Sequence, residues 1–278
     1  MKNNDNAIPQ KTAATKPAVI GIFDSGVGGL TVVREIRRIM PHQPIIYFGD
    51  TARTPYGTKG PETITRYAEE DSKFLLQHGA NILVIACHSA ASVATEHLKN
   101  TFDLPIFEVI TPSIEQALAF TKNKKIGLIG TRATIGSRVY ETKIGALSAD
   151  TEIIGQACPL LVPLVEEGWL KCRETRMIVK KYLRPLKERH VNTLILGCTH
   201  YPLLKPIIQE KIGKHVKLID PSHEVARSVH SYLAQTGGLA RESTGVANLY
   251  FLSDLHQTNQ RIVQAFLGER IQIERAGP

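Results

Sequence analysis

The sequence predicts an α/β fold of two domains built on mostly parallel sheets. Three observations lead there. Short, continuously apolar runs alternate with segments of helical spacing along nearly the whole chain, as expected for strands buried on both faces with helices packed against them. The strands number about ten, too many for one ordinary open sheet. Two of the runs end in the same design, an apolar strand that stops at a cysteine and is followed by polar residues: Leu83-Val-Ile-Ala-Cys87-His88-Ser89 and Leu194-Ile-Leu-Gly-Cys198-Thr199-His200. Each cysteine then sits at a strand's C-terminal end, one per domain, where ligands bind in open α/β sheets.

Taken in order, Ala18 to Phe23 is an apolar strand. Asp24-Ser25-Gly26-Val27-Gly28-Gly29 is a tight turn, and Leu30, Val33, Ile36 and Met40 mark one face of a helix broken at Pro41. Ile45 to Phe48 is a strand leading into the polar loop Gly49 to Gly57, a binding-loop candidate. Glu62 to His78 is helical, and Ile82 to Ala86 is the strand before Cys87. Ser89 to Asn100 is a helix and Ile106 to Ile110 a strand. Pro112 to Thr121 is a helix with Thr111 as its cap. Lys125 to Ile129 is a strand, Ser137 to Leu147 a helix and Glu152 to Ala157 a strand. Cys158 to Gly168 is apolar, Pro-broken and ends in Glu166-Glu167. Glu174 to Glu188 is a helix, and Thr193 to Leu196 is the strand before Cys198. Helix 203–212, strand 216–219, helix 224–233, strand 247–252 and helix 258–267 close the chain.

Composition narrows the functional class. A hydrophobic content of 42% and no apolar run near the roughly 20 residues of a bilayer span point to a globular protein. Met1 to Pro17 is polar, has no apolar core, and reads as a disordered extension rather than a signal peptide, so a cytoplasmic location is expected. Four cysteines in 278 residues do not suggest a disulfide framework. The net charge of +8 suits an anionic ligand, but the charges are scattered, without aromatic interleaving or a nucleic-acid motif.

A cysteine after a strand is commonly a small buried residue; two of them, each followed by hydrogen-bonding neighbours, suggest acid–base chemistry. A helix N-terminus behind Cys87 and an imidazole beside Cys198 each favour a thiolate. A thiolate on one side of a carbon and a thiol on the other remove and replace one proton, inverting the centre without a cofactor. A zinc site of Cys87, His88, Cys198 and His200 is the rival, although its spacings match no structural zinc motif. The glycines after Asp24 and Ser25 lack phosphate-loop spacing and instead permit close approach of a ligand. Asp24 has the alternative role of helix cap and Glu166 that of a surface acid, while Cys158 and Cys172 read as structural and incidental. Neither a pyridoxal lysine motif nor a nicotinamide fingerprint is present.

With these residues assembled, the chain resembles the glutamate racemases, cofactor-independent two-cysteine enzymes of the aspartate/glutamate racemase superfamily that supply D-glutamate for peptidoglycan. The resemblance runs from about Ile20 to Ile271. It rests on Gly21-Ile-Phe-Asp24-Ser25-Gly-Val-Gly-Gly-Leu, Phe48-Gly-Asp50-Thr-Ala-Arg-Thr-Pro55-Tyr56-Gly57, Ala86-Cys87, Ile129-Gly-Thr131-x-x-Thr134, Pro159 to Gly168, and Leu196-Gly-Cys198-Thr199-His200-Tyr-Pro. It implies two three-layer α/β domains related by a pseudo-twofold, residues 18–111 plus 221–278 and residues 112–220, with the active site in the cleft. It implies Cys87 and Cys198 as the acid/base pair, Asp24 assisting near Cys87, and Glu166 and His200 near Cys198. Asp24, Ser25, Pro55, Tyr56, Gly57, Ser89, Thr131, Thr134, Cys198, Thr199 and His200 correspond to substrate contacts.

The chain departs from the family at His88-Ser89, where Asn-Thr is usual. His88 joins the substrate-contact candidates as a group that titrates near neutrality. The alternatives are a two-cysteine racemase for aspartate or another small acid, and a ligand-binding homologue that has lost catalysis. No metal or cofactor, a homodimer, and a peptidoglycan-precursor activator acting with the N-terminal extension complete the expectation, with neither membrane nor nucleic-acid partners.

Overall fold

The computed structural model of the protein describes residues 18–255 and 257–278. The expected extension, Met1 to Pro17, lies outside the described residues. The chain runs β1 (Ile20–Asp24), α1 (Leu30–Ile39), β2 (Ile45–Gly49), α2 (Pro61–Gln77), β3 (Ile82–Ile85), α3 (His88–Thr101), β4 (Ile106–Glu108) and α4 (Ile110–Phe120). It continues through β5 (Lys125–Gly130), α5 (Arg132–Gly136), α6 (Val139–Leu147), β6 (Glu152–Ala157), α7 (Leu161–Glu166), α8 (Arg173–Glu188) and β7 (Thr193–Gly197). Then come α9 (Lys205–Ile212), β8 (Lys217–Ile219), α10 (Pro221–Thr236), β9 (Leu249–Leu252), α11 (Gln257–Leu267) and β10 (Glu274–Arg275).

Two sheets result. One has six strands in the order β10-β9-β2-β1-β3-β4 and the other four in the order β6-β5-β7-β8. Every strand pair among the described residues is parallel. The central strands are buried along their whole length, as their unbroken apolar sequences require: all five residues of β1, β2 and β7 are buried. Register then decides what meets at the sheet edge. Asp24 pairs with Gly49 and Phe23 with Ile85, so Asp24, Asp50 and Cys87 leave the first sheet side by side. Gly130 pairs with both Ala157 and Gly197, so Thr131, Cys158 and Cys198 leave the second sheet side by side.

Two local expectations need correction, and a third stretch gains a helix. The helix expected from Pro112 begins at Ile110, and Thr111 does not cap it. The Glu108 carboxylate does, accepting from the backbone N–H of Ile110 and, at 3.0 Å, of Thr111. The segment around Ser137 is not the start of one helix. Arg138 adopts a left-handed conformation (φ 55°) that separates α5 from α6. The Pro-broken stretch before Gly168 contains the short helix α7, which ends on Glu166.

Candidate active site

The two cysteines are both buried and both at strand ends, but their surroundings differ. Cys87 is the N-cap residue of α3. Burial and, secondarily, the Asp24 charge push its thiol up to about 12, against the opposing pull of the Ala90 backbone N–H and of Ser25. The helix N-terminus pulls toward the thiolate through the Ala90 N–H, as the sequence leads one to expect, but desolvation and the neighbouring carboxylate outweigh it. Cys198 lies in a turn ahead of a short 3₁₀ segment, Tyr201–Leu204, with the Nδ1 atom of His200 3.8 Å from its sulfur. On its other side His200 donates from Nε2 to Glu166 Oε1 at 3.1 Å.

Burial alone would lower the basicity of His200. The sulfur of Cys198 and the Glu166 carboxylate reverse this and raise it to about 10, so the ring is an imidazolium at neutral pH. Its free-state value of 6.5 lies well below this, so the stability it contributes is full below pH 6.5 and is lost as pH rises through about 10. His200→Asn is accordingly expected to flatten that loss. Denaturant unfolding of both proteins at pH 6.5 and pH 10 checks it, and an equal loss in the two would contradict the assignment.

Asp24 joins the halves. Its carboxylate is fully buried, accepts from the Gly26 N–H at 3.2 Å, and accepts from the Thr199 hydroxyl of the opposite sheet at 3.3 Å. Burial raises its pKa, and the His200 charge holds it partly down. Further contacts cross between the sheets. The hydroxyls of Ser89 and Thr131 lie 3.0 Å apart, and Thr131 Oγ1 caps α5 by accepting from the Thr134 N–H at 3.2 Å. A Cβ on Gly57 would come within 2.7 Å of Thr131 Cβ, and one on Gly28 within 2.4 Å of Thr199 Oγ1 and 2.6 Å of His200 Nδ1. Those two positions exclude side chains because the loops of the two sheets touch there.

The Pro55-Tyr56-Gly57 loop is anchored from beneath. The Tyr56 hydroxyl is buried between Asp50 and Asp71, bonding to Asp50 and, at 2.9 Å, to Asp71. Arg53 also spans these acids, donating from Nη2 to Asp71 at 2.8 Å and from Nε to Asp50, with Glu70 on its third nitrogen. The tyrosine has one hydrogen and two carboxyl partners, so one carboxyl carries a proton of its own. Burial and the neighbouring Asp50 charge raise Asp71 well above the usual carboxylate range, which assigns the proton to it. Asp50 also accepts from the Ser253 hydroxyl at 2.9 Å and from Arg53 Nε. Asp71→Asn, which mimics the protonated acid, is expected to cost about 1 kcal/mol or less, and Asp50→Asn about 3 kcal/mol, in chemical denaturation. The reverse order would contradict the proton assignment.

His88 departs from its sequence reading. It is 3% exposed, and neither ring nitrogen has a hydrogen-bond partner among the described residues. Burial, only partly offset by Asp220, lowers its pKa to about 3, so it is a neutral imidazole beside Cys87 rather than a group titrating near neutrality. Cys158 is buried next to Cys198 in the strand register, with its thiol donating to the Gln156 carbonyl at 3.4 Å, and burial raises its pKa. Cys172 lies apart, 3.2 Å from the Thr175 hydroxyl. Among the described residues no three His, Cys, Asp or Glu side chains gather as a metal-ligating group.

Residues 30–229 match the family model described as Asp/Glu/Hydantoin racemase. The chain is also 46% identical over 253 residues to a glutamate racemase of Geobacter metallireducens, covering 91% of this chain and 93% of that one. The chain belongs to the Asp/Glu/Hydantoin racemase family. The fold agrees with that membership. It superposes on the glutamate racemase isoform RacE1 from Bacillus anthracis with a TM-score of 0.90 at 36% identity, covering 94% of this chain and 98% of that one. The glutamate racemase of Francisella tularensis, solved in complex with D-glutamate, gives a TM-score of 0.88 at 32% identity over 95% and 98% of the two chains.

Within this racemase fold, sequence reasoning missed residues that hold the site without facing it. Tyr47, whose hydroxyl donates to the Gly26 carbonyl at 2.6 Å, fixes the loop after β1. Asp71, Thr31 and Ser222 are buried polar residues within helical segments, and a buried polar residue amid apolar spacing was the one signal available for them.

Proposed function

We propose that the protein interconverts L- and D-glutamate by two-base proton transfer at Cα between Cys87 and Cys198, without a cofactor. One observation supports this reading above the others: two buried thiols at the edges of separate sheets, bridged by the Asp24–Thr199 hydrogen bond, one beside a carboxylate and the other beside an imidazolium. Cys87, held up to about 12, rests as the thiol and proton donor. Cys198 rests beside the His200 imidazolium, a cation placed to stabilise its thiolate. In one direction the Cys198 thiolate takes the Cα proton and the Cys87 thiol delivers its own to the opposite face. The enzyme is left with the two states exchanged, ready for the other enantiomer. Asp24 is the carboxylate whose charge acts on Cys87, and His200 with Glu166 serves Cys198.

Ser25, Pro55, Tyr56, Gly57, His88, Ser89, Thr131, Thr134 and Thr199 form the substrate-contact set in this reading. The Tyr56 hydroxyl is committed to Asp50 and Asp71, leaving the loop's backbone for the ligand. Hydroxyl and N–H donors suit the two carboxylates of glutamate, and fixing both ends aligns Cα between the sulfurs. The neutral His88 adds no charge beside Cys87. The two sheets correspond to the two domains, residues 18–111 plus 221–278 and residues 112–220.

Supply of D-glutamate to peptidoglycan from a cytoplasmic homodimer belongs to the same reading; no helix among the described residues is long and apolar enough to cross a membrane. The activator expectation concerns the extension Met1 to Pro17, outside the described residues. Incubation with L- or D-glutamate in D₂O, followed by circular dichroism and proton NMR, tests the substrate. Loss of the α-proton signal and convergence on the racemate are expected. Inertness toward both enantiomers, with turnover of aspartate or another acid, would overturn the glutamate assignment.

A further inference from the structure

The loop that carries Cys198 is gripped from the opposite sheet's first helix. Thr31, in the first turn of α1, is completely buried. Its hydroxyl hydrogen is shared between the Gly28 carbonyl at 2.9 Å and the Thr199 carbonyl at 3.3 Å. Its oxygen accepts from the Ser222 hydroxyl, 3.1 Å away at the start of α10. The Ser222 N–H in turn donates to the Asp220 carboxylate at 3.1 Å. Three elements thus converge on one side chain: the α1 turn, the loop after β7, and the start of the helix that leads back from the second sheet.

The carbonyl that Thr31 holds belongs to the peptide bond between Thr199 and His200. Turning that peptide moves the Thr199 side chain, which donates to Asp24, and the His200 ring, which lies against Cys198. Gly28, in the turn just before that helix, contacts the same two residues so closely that no Cβ fits. A valine in place of Thr31 would fill the same space with neither donor nor acceptor.

We infer that Thr31 is a positioning residue for the Cys198 half of the site, fixing the Thr199–His200 peptide across the cleft through a hydroxyl relay from Ser222. It acts through Thr199 and His200. The inference rests on the two-thiol reading above, and its test is separable from that reading. If the wild-type protein does not racemise glutamate, the reading fails; if it does, the Thr31 variants decide the inference.

The two enantiomers are equal in free energy, so kcat/KM must fall by one factor in both directions whatever the mutation does. The asymmetry is read instead in isotope effects on α-deuterated D- and L-glutamate. Thr31→Val is expected to lower kcat/KM about tenfold, the scale of one buried hydrogen bond to a neutral acceptor. Because proton transfer at Cys198 becomes slower, the isotope effect rises for the enantiomer that Cys198 deprotonates. It falls for the one that Cys87 deprotonates, whose transfer no longer limits the rate. Thr31→Ser, which keeps the hydroxyl, restores both values. Ser222→Ala shifts them the same way but less.

A purely structural loss would lower activity without splitting the two isotope effects. An unsplit pair in Thr31→Val overturns the inference, as does wild-type kinetics in that variant. Should Thr31→Val fail to fold, an unsplit pair in Ser222→Ala overturns it equally.

Discussion

Cys87→Ser and Cys198→Ser are each expected to lose racemisation by about a thousandfold or more, the scale of one positioned acid–base group. A serine hydroxyl neither holds a negative charge near neutral pH nor gives up its proton as readily as a thiol. The diagnostic result lies in what each variant keeps. With Cys198 intact, Cys87→Ser still exchanges the α-proton of the enantiomer that Cys198 faces, returning solvent deuterium to the same side. Cys198→Ser exchanges the opposite enantiomer. Proton NMR in D₂O reads both. Variants that exchange the same enantiomer, or that racemise at rates near wild type, would contradict the division of labour. The two need not be equally damaged, because burial and Asp24 hold Cys87 as a thiol while Cys198 has the His200 imidazolium 3.8 Å from its sulfur.

Gly28→Ala is the second large effect. The added methyl would lie 2.4 Å from Thr199 Oγ1 and 2.6 Å from His200 Nδ1, distances at which one loop must move. The displaced residues are those that hold Asp24 and face Cys198, so the two thiols shift relative to the substrate carbon. A misplacement of this size costs about a hundredfold in kcat/KM. Gly145→Ala, inside α6 with nothing within 4 Å of the added atom, is the control. It is expected to keep full activity and to gain up to about 1 kcal/mol of stability from helix propensity. Steady-state kinetics with a melting curve for each protein separates the two, and a Gly28→Ala enzyme within about threefold of wild type would contradict a close contact between the loops of the two sheets.

The parts legible in the sequence share a physical cause. Strands such as Ile45–Gly49 and Thr193–Gly197 are buried on both faces, so their sequences are uninterrupted apolar runs, and the polar residues that follow them mark the sheet edge. Asp24, Cys87, Thr131 and Cys198 could be picked out because each directly follows such a run or closes it. Where the deciding interaction is distant, the sequence is silent. His200 is a cation because Glu166 and Cys198 flank it, and Cys87 is a protonated thiol because burial and Asp24 outweigh a helix terminus. Thr31 sits at helical spacing among apolar neighbours and reads as an ordinary core position until Thr199 and Ser222 close on it. The strand Glu274–Arg275 carries no apolar signal at all, being an exposed pair added to the sheet by backbone pairing with β9.

The central claim is that two different groups handle the proton, one on each face of Cα. Its most direct test is the early time course of L-glutamate conversion in D₂O, with substrate and product α-positions followed separately by mass spectrometry. Two thiols predict that newly formed D-glutamate carries solvent deuterium while the remaining L-glutamate stays protiated. Deuterium entering substrate and product together from the first turnovers would mean one base serving both faces, and would contradict the pairing of Cys87 with Cys198.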